Sequence, residues 1–131
     1  MENQRADFTL TFRRLSDAPA GDTAAKAMVR TLFDAPEVYD EWDGKWRQRF
    51  ASDGADATDR RQAMRAVNPA FIPRNHQVQR AIDHATQAED FGPMEELLTV
   101  VTAPFDDHPG HEDLTTPPTT DQAVTQTFCG T

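Results

Sequence analysis

Two prolines four residues apart, Pro69 and Pro73, constrain this chain more than any other feature of its text. Each fixes its own φ and pushes the residue before it out of the α region, so Asn68 has to leave a helix and Ala70-Phe71-Ile72 has few conformations open to it. Upstream, Ala63, Met64 and Val67 suit a helix that Asn68 terminates. Downstream, Val78, Ile82 and Ala85 fall at i, i+4 and i+7 on one helical face, and Pro73 suits the first turn of that helix. The segment therefore predicts a stiff corner between two helices, with Arg74 and Asn75 at the mouth of the second.

The remaining text reads as amphipathic helix followed by polar tail. A helix is expected from Asp7 to Leu15, with Asp7 as N-cap, Phe8, Thr11, Phe12 and Leu15 on one face, and Arg13 and Arg14 towards solvent. A second runs from Thr23 to Phe33 behind the cap Asp22, burying Ala27, Met28 and Leu32 or a neighbouring selection. Pro36 opens a third, in which Val38, Trp42, Trp46 and Phe50 recur every four residues beside Tyr39. Each four-residue step drifts about 40° around the helix, so the stripe is wide enough to meet two neighbours. Core packing is the simpler reading of it. An aromatic stacking platform is the alternative, and Asp40, Glu41 and Asp43 oppose a nucleic acid there. Ser52 to Thr58 breaks the pattern, Thr58 is expected to cap a helix over 59–67, and the corner leads into a helix from Arg74 to Ala88. Asp90 then caps a last helix carrying Phe91, Met94, Leu97, Leu98 and Val101, antiparallel to its predecessor because the connection is short. The fold class is all-α: an irregular bundle of five or six short helices over residues 1–102, with a Pro-rich, largely extended tail over 103–131.

Composition limits how complete such a bundle can be. Leu, Ile, Val and Phe supply 23 of 131 residues and the formal charge is -9, which lies on the disorder-prone side of the usual boundary. A modest helical core is expected, with part of its apolar surface meant for a partner or for a further piece of the same chain. The acidity disfavours nucleic acid and anionic membrane, because phosphate attraction dominates those affinities. Lys26 and Lys45 are the only lysines, a balance that also fits high-salt adaptation. No run of apolar residues is long enough for a membrane span and the first residues lack a signal-peptide pattern, so a cytoplasmic setting is expected. One cysteine leaves neither an internal disulfide nor a four-cysteine zinc site.

Three constellations could carry chemistry. His108, His111, Glu112 and Asp113 offer metal-type ligands, but in a Pro/Gly loop they read as a solvated segment, and no metal site is expected. Arg74, Asn75 and His76 at a helix start could receive an anion or simply lock the corner; locking is the preferred reading for Arg74 and Asn75, and an exposed position for His76. No catalytic residue emerges. Cys129, on a polar tip without a basic neighbour, offers an accessible thiol that could be oxidised reversibly, but from the residues alone it reads as an incidental exposed cysteine.

Several of these motifs also carry a resemblance. Asn68-Pro69-Ala70-Phe71-Ile72-Pro73-Arg74-Asn75, Ala103-Pro104-Phe105, the ending Thr127-Phe128-Cys129-Gly130-Thr131, the opening Asp7 to Arg13 and the Trp42 to Phe50 helix resemble, in order, the C-terminal region of the selenoprotein O (YdiU) family. The resemblance implies an enzyme with a kinase-like fold that moves AMP from ATP onto Ser, Thr or Tyr hydroxyls of protein substrates, using a divalent metal such as Mg. It implies family-signature roles for Trp42, Arg47, Asn68, Pro69, Arg74 and Asn75, and a redox role for Cys129. The ATP- and metal-gripping residues of the family belong to its kinase-like part, and no cofactor is expected in this chain by itself. Asp90-Phe91-Gly92 spells a kinase metal motif but follows a helix and lacks the catalytic loop, so it is set aside. Glu89-Asp90 stands where the family commonly has a Gly-Asp turn. The expectation is a supporting helical portion whose partner is an N-terminal kinase-like region; the alternative is a freestanding helical interaction module without enzymatic activity.

Overall fold

A computed structural model describes residues 6–18 and 22–123. Among these residues the chain is all-α, with helices α1 (Phe8–Leu15), α2 (Thr23–Arg30), α3 (Pro36–Asp53), α4 (Ala57–Arg65), α5 (Asn75–Ala88) and α6 (Gly92–Val101). Two 3-10 segments follow, Glu112–Thr115 and Thr120–Gln122. The chain divides into two compact units, residues 1–69 and 70–131.

In the first unit the helix starts are set by aspartates. Asp7 accepts from the Leu10 N–H at 2.8 Å and Asp22 from the Ala24 N–H at 2.8 Å, both as expected. The cap of α4 differs: Asp56, not Thr58, accepts the Thr58 N–H at 2.7 Å, and the helix starts at Ala57 and ends at Arg65. A carboxylate two residues upstream reaches the first free amides and its charge suits the helix N-terminus, so it displaces the threonine. Hydrogen bonds from the Thr58 N–H first, then the Thr58 hydroxyl and the Asp59 and Ala57 amides hold the Asp56 carboxyl below its usual range.

Leu15, Val29 and Tyr39 form the buried centre, with Phe12, Phe33, Trp46 and Met64 packed against them. On α2 the inward pair is Ala25 and Val29, the neighbouring selection, and it replaces Ala27 and Met28, which are exposed, Met28 at 53%. The α3 stripe is likewise rotated. Tyr39 and Asp43 lie inside, Trp46 and Phe50 are half-buried, and Val38 and Trp42 are exposed. The indole of Trp42 stacks on Trp46 at 5.2 Å, Trp46 meets Phe50 at 4.3 Å, and Arg60 caps the Phe50 ring at 3.9 Å.

The second unit is built on Ala70, Phe71, Leu97, Val100 and Leu114, with Val78 and Val101 packed around them. Helices α5 and α6 make a close hairpin. Its turn places Glu89 at φ 53°, a left-handed conformation that glycine adopts without strain. Asp90 accepts the Gly92 N–H at 3.0 Å and so closes the start of α6 from just outside it. Helix α5 begins at Asn75 behind Arg74, so Pro73 precedes the cap instead of occupying the first turn.

Candidate functional site

The residues to which the resemblance gives signature roles fall into three arrangements, each combining contacts within one helical turn or corner with groups from elsewhere in the chain. The first centres on Asp43. One turn of helix places Arg47 above it, and the Arg47 Nε donates to both carboxylate oxygens at 2.9 and 3.0 Å. From α2, the Lys26 Nζ reaches the same carboxylate at 2.9 Å, and the Tyr39 hydroxyl lies 3.5 Å away. Asp43 is 1% exposed, whereas Lys26 and Arg47 keep about a third of their side chains in water. Burial pushes the Asp43 carboxyl up, but hydrogen bonds from Arg47 and Lys26 outweigh it and hold the group below the usual carboxylate range. The Tyr39 hydroxyl is pushed up to about 12, by burial first and then by the Asp43 charge. Trp42 borders this arrangement through its ring contact with Tyr39 at 6.2 Å. A buried ion pair with one fully enclosed carboxylate fixes the α2/α3 packing more than it supplies chemistry.

The second arrangement closes α4. The Asn68 backbone N–H donates to the Met64 carbonyl at 3.0 Å and its side-chain amide to the same carbonyl at 2.9 Å. Its own carbonyl accepts from the Arg13 Nη1 at 3.1 Å, and that guanidinium also reaches the Arg65 carbonyl at 3.5 Å. Arg13, expected in solvent, is 7% exposed. A chain leaving a helix before proline exposes carbonyls, and a planar multi-donor side chain can satisfy two of them.

The third arrangement joins two motifs far apart in sequence. The Pro104 carbonyl accepts from both the Ala70 N–H, at 2.7 Å, and the Phe71 N–H, at 3.2 Å. Proline on either side of Ala70-Phe71-Ile72 keeps that segment out of a helix, and Pro104 supplies the acceptor that the Ala70 and Phe71 amides need. Phe71 is thereby held in the core at 4% exposure, with the His108 ring edge-on at 5.1 Å. Arg74 is 7% exposed and Asn75 is exposed. His76, expected in solvent, is half-buried; burial and then the Arg74 charge push its pKa down.

The histidine and carboxylate cluster after α6 is occupied by its own chain. His108 Nε2 lies 3.0 Å from the Ala103 carbonyl, Glu112 accepts the Gly110 N–H at 3.1 and 3.2 Å, and Asp113 faces Arg80 at 3.8 Å. Among the described residues no group of three or more His, Cys, Asp or Glu side chains could hold a metal ion. Asp90 of the Asp-Phe-Gly triplet sits in a helix–helix turn bound to the Gly92 N–H and 3.1 Å from His84 Nδ1. These donors do not fit a metal-bound nucleotide. Cys129 lies outside the described residues. Among them, too, no helix is long and apolar enough to cross a membrane.

Sequence reasoning missed Lys26, Asp43 and Arg13 as organising residues. The i,i+4 spacing of Asp43 and Arg47 was a usable signal for the first arrangement; Arg13 had none, because its acceptors are backbone carbonyls more than fifty residues away.

Comparison with known proteins agrees with the order of motifs. Residues 1–102 match the family described as protein adenylyltransferase SelO. The chain is 53% identical, over all of its 131 residues, to a protein nucleotidyltransferase YdiU of Rhodopseudomonas palustris strain BisB5, and covers 26% of that relative. It is 50% identical over 128 residues to the protein of the same description from Bradyrhizobium sp. strain ORS 278, and 48% identical over 131 residues to that from Rhizobium meliloti strain 1021, again covering 26% of each. The chain thus spans about a quarter of the length of the curated relatives it matches.

Proposed function

From the membership of this chain in the SelO protein adenylyltransferase family, we propose that it is the C-terminal helical portion of such an enzyme, supporting a kinase-like lobe and inactive alone. The full-length enzyme moves AMP from ATP onto Ser, Thr or Tyr hydroxyls of protein substrates with a divalent metal such as Mg. That nucleotide and metal are held outside the described residues of this chain. The supporting role gives the three arrangements their purpose. Trp42 and Arg47 beside Asp43, Asn68 and Pro69 at the end of α4, and Arg74 and Asn75 at the start of α5 lock a scaffold and take no part in the chemistry. Cys129 is the redox position. Since the chain has one cysteine, a disulfide from it takes its second thiol from another part of the enzyme or from a small thiol.

One observation carries this reading: a chain a quarter the length of its relatives leaves a series of large apolar side chains in water. Phe8, Met28, Val67, Ile82, Phe91 and Leu98 are each about half or more exposed. Scattered apolar residues are ordinary on a surface, but this many on two small cores point to surface that a larger protein covers.

The test is a chimera in which this chain replaces the matching quarter of one of the relatives above. The isolated chain should bind a hydrophobic dye, and the same residues in the chimera should melt at a higher temperature with the dye excluded. A compact 131-residue monomer with a sharp melt and no dye binding would favour a freestanding interaction module instead. For Cys129, the Cys129→Ser chimera should lose the response of AMP transfer to oxidant; an unchanged response would remove the redox role.

A further inference from the structure

The α5/α6 hairpin carries an apolar groove of about 350 Å³ whose walls include Val78, Ala81, Ile82, Met94, Leu97 and Leu98. Its inner residues are covered, Ala81 at 6% and Leu97 at 8% exposure, but Ile82, Met94 and Leu98 stand 49%, 40% and 50% exposed along the lips. Two helices in a hairpin bury one stripe against each other and against Phe71. Val78 and Val101 pack on that core, and Ile82, Met94 and Leu98 run beside it as a second, exposed stripe.

Charge narrows what could lie in it. Residues 1–69 hold twelve carboxylates and eleven Lys or Arg side chains, close to balance, whereas residues 70–131 hold ten carboxylates against Arg74 and Arg80 alone. Arg74 is buried, and Arg80 faces Glu96 and Asp113 at 4.0 and 3.8 Å. On the hairpin that forms the groove, Glu89, Asp90 and Glu95, at its turn and in the first turn of α6, are exposed, and α6 contains no basic residue. A second copy of the chain would bring two such acidic faces together, and like charges across an interface oppose association. An apolar stripe with basic flanks is the complementary shape, and helix-in-groove docking is the mode that fits a cleft between two helices.

Resting on the reading above, and on the three quarters of its relatives' length that this chain does not span, we propose that the α5/α6 groove receives an amphipathic helical segment of the same enzyme. That segment has an apolar stripe flanked by Lys or Arg, and it comes from the portion outside this chain.

The experiment compares thiol alkylation at position 98 of the Leu98→Cys variant in the isolated chain and in the chimera, read on the peptide by mass spectrometry, with Ser52→Cys on the exposed end of α3 as control. Position 98 should react at least tenfold more slowly in the chimera, and position 52 at the same rate in both. Met94→Cys repeats the measurement should Leu98→Cys perturb folding. Equal rates at position 98 in a chimera that transfers AMP would overturn this inference alone; a chimera without activity would overturn the reading beneath it as well. Protection of position 98 in the isolated chain that grows with its concentration would assign the groove to a second copy and also overturn the inference. Paired Glu89→Lys and Glu95→Lys changes should restore reactivity severalfold in the chimera, and no change would contradict the basic flanks.

Discussion

Asp43 is enclosed on α3 with Lys26, Arg47 and Tyr39 around it, and its carboxylate has nowhere to find water. Removing the charge strands two cations, although both retain some solvent, so Asp43→Asn should cost about 2–3 kcal/mol in urea unfolding, towards the low end for a broken buried pair. The sign of the pH dependence follows from the lowered pKa. Unfolded, the carboxyl titrates near the ordinary value of about 3.9; folded, it titrates lower. Its contribution is therefore complete above about pH 4 and is lost as pH falls through the folded value. The Asn variant should lack that part of the acid transition, and an unaltered acid limb would show that the carboxylate contributes nothing. Tyr39 acts at the other end: with its hydroxyl raised to about 12, its contribution is complete below about pH 10 and lost as pH climbs towards 12.

Among the elements, the corner and the last hairpin carry the clearest contrasts. Phe71 is seated by the Pro104 carbonyl and nearly enclosed, so Phe71→Ala should cost about 3–4 kcal/mol, whereas Trp42→Gln on the exposed edge of α3 should shift stability by less than about 1 kcal/mol. Equal losses in chemical denaturation would mean that the α3 stripe is core after all. At the α5/α6 turn, Glu89→Gly should stabilise by about 0.5–1 kcal/mol, because a left-handed residue with a Cβ is replaced by one without; a lower melting temperature would contradict the strain. Helix existence, the Asp7 and Asp22 caps and the helix break around Pro69 and Pro73 were legible in the text because they depend on residues within four positions of each other. The rotation of the α2 and α3 faces was not. Lys26 and Arg47 gather on Asp43, which draws a charged position inward and turns Trp42 outward, and hydrophobic periodicity cannot anticipate that. The Ala70/Phe71 pairing with Pro104 was legible only as two motifs, since nothing local links residues more than thirty positions apart.

At the scale of the whole molecule, a formal charge of -9 lies almost entirely in residues 70–131. Screening that self-repulsion should raise the melting temperature between low and molar salt, and a flat or falling dependence would remove the idea of high-salt adaptation. The same imbalance opposes approach of another acidic surface to the second unit and favours a basic one. The central claim is that these helices support an enzyme whose nucleotide-handling residues lie outside them. It is tested most directly by following transfer of α-phosphate-labelled AMP from ATP, with Mg, to a protein acceptor, using the isolated 131-residue chain and the chimera side by side. The account predicts label transfer by the chimera and none above background by the isolated chain; transfer by the isolated chain would contradict it.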